Sequence, residues 1–213
     1  MSVNDKGLIR ATRGAVFYAP AETGIPTEGV KAFTLDGDQV AAGEATWQNL
    51  GHTSNDNRLA FSADGGEAET KDTWLMAGAA TTYSPTMLKV AGHLLQADAD
   101  SLKFLFSGWD SGDGGVIASA AKKEQSLALF VLAYDSAKAT KFGIYLPKTS
   151  FTYSSDGLID LASDSFVEFG FEAQALTSST LPKSDDGRSG TFSFYPTEAF
   201  TAATAPAETP PVG

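Results

Sequence analysis

Between positions 165 and 176 the chain alternates. Val167, Phe169, Phe171, Ala173 and Ala175 fall on one face, and Glu168, Gly170, Glu172 and Gln174 on the other. That period of two predicts a half-buried strand. Residues 126–134 are apolar on both faces, as a central strand would be. Three further runs, at 14–18, 141–146 and 191–195, read as strands that stop at or near Pro20, Pro147 and Pro196. Proline has no N–H for a ladder, so it marks a strand end or an edge.

One segment carries helix signals. Over 98–106, Asp98 is placed to cap the N-terminus, and acidic residues suit the positive end of the helix dipole. Leu102, Leu105 and Phe106 share a face, and Gly108 supplies the stop. Short strands elsewhere are separated by Asp36-Gly37, Asp64-Gly65-Gly66, Asp113-Gly114-Gly115, Asp156-Gly157 and Asp186-Gly187. Each pair tolerates the positive φ of a tight turn. The pattern predicts an all-β protein with one short helix, built as a two-sheet β-sandwich or barrel. From 53 to 73 the pattern fails. After Leu59-Ala60-Phe61 the segment is polar, with no usable apolar face. It reads either as a solvent-exposed hairpin or loop, or as an arm that orders against a neighbouring subunit. Residues 201–213 are rich in Pro, Thr and Ala and read as a flexible tail.

Charge and composition narrow the chemistry. The 213 residues carry 15 Lys and Arg against 26 Asp and Glu, a net charge of −11. Such a chain repels phosphate and anionic lipid rather than gripping either. It has no cysteine and two histidines, His52 and His93. That excludes disulfides, thiolate metal sites and a cysteine nucleophile. The sequence shows no secretion signal and no apolar stretch near the roughly 20 residues of a membrane span. A soluble protein made in the cytoplasm, with no membrane partner, is expected.

No catalytic, metal or cofactor site is expected. The loop from Asp110 to Gly115 lacks the oxygen spacing of an EF-hand, and His93 sits among apolar neighbours. No nucleophile elbow or phosphate loop occurs. Glu168 and Glu172 lie about 13 Å apart along a strand, too far to share one bond. Trp109, in a Gly/Asp-rich loop, keeps an alternative open: a β-sandwich that stacks on carbohydrate at a host surface.

Several segments in order resemble the tail tube (major tail) proteins of long-tailed, non-contractile phages, especially those of actinobacterial hosts. They are Trp47-Gln48-Asn49-Leu50-Gly51-His52-Thr53-Ser54, then the run from Gly65 to Trp74, the helix at 98–106, and the runs at 141–147, 158–161 and 166–173. The resemblance spans roughly residues 10 to 200. It implies a β-sandwich domain over 14–200, with an N-terminal arm at 1–13 and the tail at 201–213. It further implies a structural virion protein. Six copies would close into a ring, and rings would stack into a tube that encloses the tape measure protein. The tail terminator and distal tail proteins would meet the tube's ends, and DNA would pass through unbound.

On that basis the loop 51–73 is expected to stack rings, through His52, Asn55, Asp56, Arg58 and Asp64. In the arm, Lys6, Arg10 and Arg13 face a single acid, Asp5, and are expected to contact a neighbouring subunit. Glu67, Glu69, Asp72, Glu168 and Glu172 are the expected lumen carboxylates, where like charge keeps DNA mobile.

Overall fold

A computed structural model describes residues 3–161 and 165–201. Strands dominate. In chain order they are β1 (Arg13–Pro20), β2 (Gln39–Ala42), β3 (Ala45–Asn49), β4 (Ala60–Gly65), β5 (Ala68–Lys71), β6 (Ala80–Tyr83) and β7 (Thr86–Leu94). Helix α1 (Ala99–Phe106) follows. Then come β8 (Trp109–Asp110), β9 (Val116–Ile117), β10 (Gln125–Asp135), β11 (Thr140–Tyr153), β12 (Ile159–Asp160), β13 (Glu168–Ala175) and β14 (Ser193–Tyr195), and the one-turn helix α2 (Thr197–Thr201). The protein is therefore all-β with a short helix, as the pattern predicts. Ten strands form one sheet in the order β2-β3-β1-β10-β11-β13-β7-β4, with β12 on β13 and β14 on β11. The pairs β5-β6 and β8-β9 stand as two small sheets.

The chain forms two compact units. One comprises residues 1–51, 128–147 and 178–213, and the other residues 52–127 and 148–177. The core of the first is aromatic. Phe33 stacks on Phe130 at 4.0 Å, meets Trp47 edge-on at 5.5 Å and packs against Phe17 at 5.1 Å. The polar atoms buried with these rings are satisfied: Trp47 Nε1 donates to the Gly24 carbonyl at 3.1 Å, and the Tyr145 hydroxyl to that of Thr23 at 2.7 Å. Phe200 of α2 packs against the same core. In the second unit β13 lies between β7 and β11, so Phe171 faces Gly92 on one side and Tyr153 on the other. Its ring stacks on Phe151 at 5.5 Å, and Phe104 of α1 reaches Phe151 at 5.4 Å.

Two details differ from the sequence expectation. Helix α1 begins as expected, with the Asp98 side chain accepting from Ser101 N at 3.0 Å. The left-handed residue that ends it is Ser107, with φ 48°, and not Gly108. A Cβ on Gly108 would lie 2.7 Å from the Ile117 carbonyl, so that glycine admits β9 instead. Strand β11 also runs straight through Pro147. Its pairing changes there, from β14 at 143–145 to β13 at 149–153. The missing N–H falls in the gap between the two ladders, and the Pro147 carbonyl accepts from Glu22 N at 2.7 Å. Residues 202–213 of the expected tail lie outside the described residues.

Candidate functional site

The polar stretch without a pattern forms most of one side of a two-stranded arm. Strand β4 pairs with β7 from Ala60 opposite Ala91 to Gly65 opposite Thr86. Farther out, β5 pairs with β6 from Ala68 opposite Tyr83 to Lys71 opposite Ala80. Every residue from 60 to 87 except Gly66 is exposed. An isolated ribbon of two strands is marginal in water, so an arm open on both faces needs something to lie against.

At the joint between the two ladders, Gly65 and Gly66 adopt φ 86° and 75°. A Cβ on Gly65 would stand 2.1 Å from the Pro85 carbonyl. Ser84 N donates to the Glu67 carbonyl, and Glu67 N to Ser84 Oγ, both at 3.0 Å. The tip is a closed turn. Thr73 N donates to the Met76 carbonyl at 2.9 Å, and Gly78 N to Asp72 Oδ1 at 2.6 Å. This turn presents Trp74, Leu75 and Met76 at 106%, 100% and 61% exposure.

The root of the arm is held by a buried carboxylate. Glu168, at 4% exposure, opens β13. Ser54 Oγ donates to Glu168 Oε1 at 2.5 Å, and Asn57 Nδ2 to Oε2 at 2.7 Å. The same Ser54 hydroxyl accepts from the backbone N–H groups of Asp56 and Asn57. Ser54 N in turn donates to the His93 carbonyl at 2.9 Å, and Thr53 bridges to Leu94. Burial works against ionising Glu168. The hydrogen bonds from Ser54 and Asn57, aided by His93, outweigh it and hold the carboxyl below the ordinary glutamate range.

The predicted residues divide into groups. His52, Asn55, Asp56 and Arg58 gather at the root. His52 N donates to Gln96 Oε1 at 2.9 Å, and Arg58 donates to both oxygens of Asn55 at 2.9 Å. Asp64 lies in β4, paired with Lys89 at 2.5 Å. Glu67, Glu69 and Asp72 are exposed along the arm. Glu172 is half-buried and pairs with Lys122 at 2.5 Å. Glu168 faces protein, so it is a clamp and no surface for water or DNA.

The N-terminal segment rests on its own unit. Arg10 N donates to Asp135 at 3.0 Å, Thr12 N to the Tyr134 carbonyl at 2.9 Å, and Arg13 lies 3.6 Å from Asp36. Lys6 falls in a 3-10 turn, and its side chain lies outside the described set. Trp47 is core, Trp74 is the arm's tip and Trp109 is 52% exposed. Sequence reasoning missed Ser54 and Asn57 as partners of Glu168. Their signal was local: a serine ahead of Asp56-Asn57 is a hydroxyl-capped turn.

The second unit also carries an open groove of about 370 Å³ beside α1. Leu102 and Phe106 of α1 line it, with Val116, Tyr153, Ile159 and Phe169.

The model of a family described as phage tail tube protein matches residues 1–184. The chain belongs to the phage tail tube protein family. This tail tube protein is also similar to the major tail protein Gp23 of Mycobacterium phage D29 and to that of Mycobacterium phage L5. Each is 33% identical over 75 residues, which is 35% of this chain and 38% of the relative. The match thus spans well under half the length of those relatives. The expected likeness to tail proteins from phages of actinobacterial hosts holds. Tail tube proteins form a structural family and not an enzymatic one.

Proposed function

We propose that this protein is a structural subunit of the virion tail, whose copies close into hexameric rings that stack into the tail tube. The tube encloses the tape measure protein, meets the tail terminator and distal tail proteins at its ends, and conducts DNA during ejection. The observation that carries the reading is the arm. A member of a tail tube family holds out a ribbon exposed on both faces, and a neighbouring copy supplies what that ribbon lacks. The root residues His52, Asn55, Asp56 and Arg58, with Asp64 farther out, belong to the ring-stacking surface at 51–73.

Acidity fits the same reading. Strand alternation puts Glu67 and Glu69 on one side of the arm, and Asp72 follows where β5 ends; these exposed carboxylates repel phosphate. A chain at −11 leaves DNA free to slide.

Negative-stain microscopy of the purified protein at high concentration should show rings or tubes of one diameter. A variant in which a short turn replaces residues 67–84 should keep the wild-type circular dichroism and lose the tubes. A wild-type protein that stays monomeric at every concentration contradicts the reading.

A further inference from the structure

We propose that the arm's apolar tip, Trp74-Leu75-Met76, seats in the groove beside α1 of a second copy of this chain. The inference rests on the tube reading and deepens it by naming the two surfaces that meet. Three adjacent apolar side chains held outward by a hydrogen-bonded turn form a knob left exposed by the described residues of its own chain. Exposed apolar groups of this kind mark contact sites.

The groove has the matching chemistry. Its lining is apolar apart from Ser119 and the Tyr153 hydroxyl. That hydroxyl already donates to the Ala120 carbonyl at 2.6 Å. Little in the lining asks for a polar ligand, and sugars or nucleotides would lose their hydrogen bonds there. An apolar side chain loses nothing. Ile159 and Leu158 on its wall are themselves partly exposed, at 51% and 37%.

Charge identifies the occupant. Two copies at −11 repel each other, so they approach best through neutral surfaces. Residues 73–88, which include the tip and all of β6, contain no Asp, Glu, Lys or Arg. The ten residues lining the groove contain none either. The arm has the reach: β4 and β5 with their joint span twelve residues, a contour of about 40 Å. Knob and groove are different surfaces of one chain, so the contact is head-to-tail. Such contacts propagate into rings or filaments instead of stopping at a dimer.

The absence of cysteine makes a direct test clean. Leu75→Cys in one preparation is mixed with Ile159→Cys in another, assembled and mildly oxidised. Ala118→Cys serves as a second groove position, and Glu44→Cys, in the other unit, as the control. We expect mixed disulfide dimers at both groove positions, at least tenfold above the control pair. Replacing Trp74, Leu75 and Met76 together by Ser should raise the concentration needed for assembly at least tenfold with an unchanged circular dichroism spectrum. Tubes that form from the cysteine variants with no cross-link above the control overturn the docking and leave the tube reading standing. A wild-type chain that never assembles overturns both.

Discussion

Glu168→Gln probes what holds the arm's root. The substitution keeps the shape of the side chain and removes its charge, so no cavity complicates the result. In the wild type, two short hydrogen bonds end on a buried carboxylate, from Ser54 at 2.5 Å and Asn57 at 2.7 Å. Hydrogen bonds to a charged group contribute about 1.5–3 kcal/mol each, and neutral ones about 1. The glutamine amide also aims N–H groups at one of two existing donors. The expected loss at pH 7 is therefore about 2 kcal/mol, or about 4–8 °C in Tm for a chain of this length. The pH dependence follows from the lowered pKa of Glu168. A carboxyl depressed on folding stabilises fully above its unfolded pKa, and that contribution fades as pH falls through the folded value. The gap between wild type and variant should be widest above about pH 5 and close in stronger acid. Thermal unfolding from pH 3 to 7 measures it. Hydrogen exchange at Asp56 and Asn57 should rise in the variant before the core is affected. A variant that melts within about 1 °C of wild type at pH 7, with the same acid limb, would refute the clamp.

Two further substitutions address the body of the protein. Phe33→Ala removes the ring that stacks on Phe130 and meets Phe17 and Trp47, and should cost about 3–5 kcal/mol, read as a lower urea midpoint. Asp98→Ala removes the cap of α1 and should cost about 1 kcal/mol. Because hydrogen bonds led by that from Ser101 N hold the Asp98 carboxyl below its usual range, this loss should appear at neutral pH and shrink in acid, as urea unfolding at both pH values will show.

Legibility in the sequence followed burial. Strand β13 was readable because one face packs inward, with Phe171 and Ala173 fully buried. Helix α1 was readable because its start signal is local, Asp98 to Ser101. Strands β4 and β5 were legible only as one of two readings, an exposed hairpin or loop, because neither face is buried and no apolar face marks the strand. Pro147 misled because a strand that changes partners tolerates a missing N–H at the change. The role of Glu168 could not be read from its neighbours: its partners Ser54 and Asn57 stand 114 and 111 positions away. An isolated Glu in an alternating strand reads as solvent-facing until that distance is closed. Trp74-Leu75-Met76 was not singled out beforehand, because three apolar letters in a row do not say whether they are covered.

The glycine at the arm's joint has a consequence for how this gene tolerates change. A saturation-mutagenesis map would normally rank the exposed stretch from 60 to 87 as permissive, since few of its side chains have neighbours to disturb. Gly65 should stand out as the most intolerant column in that map, with Gly66 and Gly78, also at positive φ, as weaker ones. Any side chain at position 65 meets the Pro85 carbonyl at bonding distance, in a backbone conformation that disfavours every other residue. The arm's direction is therefore written in adjacent glycine codons, Gly65 above all, and surface exposure is a poor guide to which codons those are.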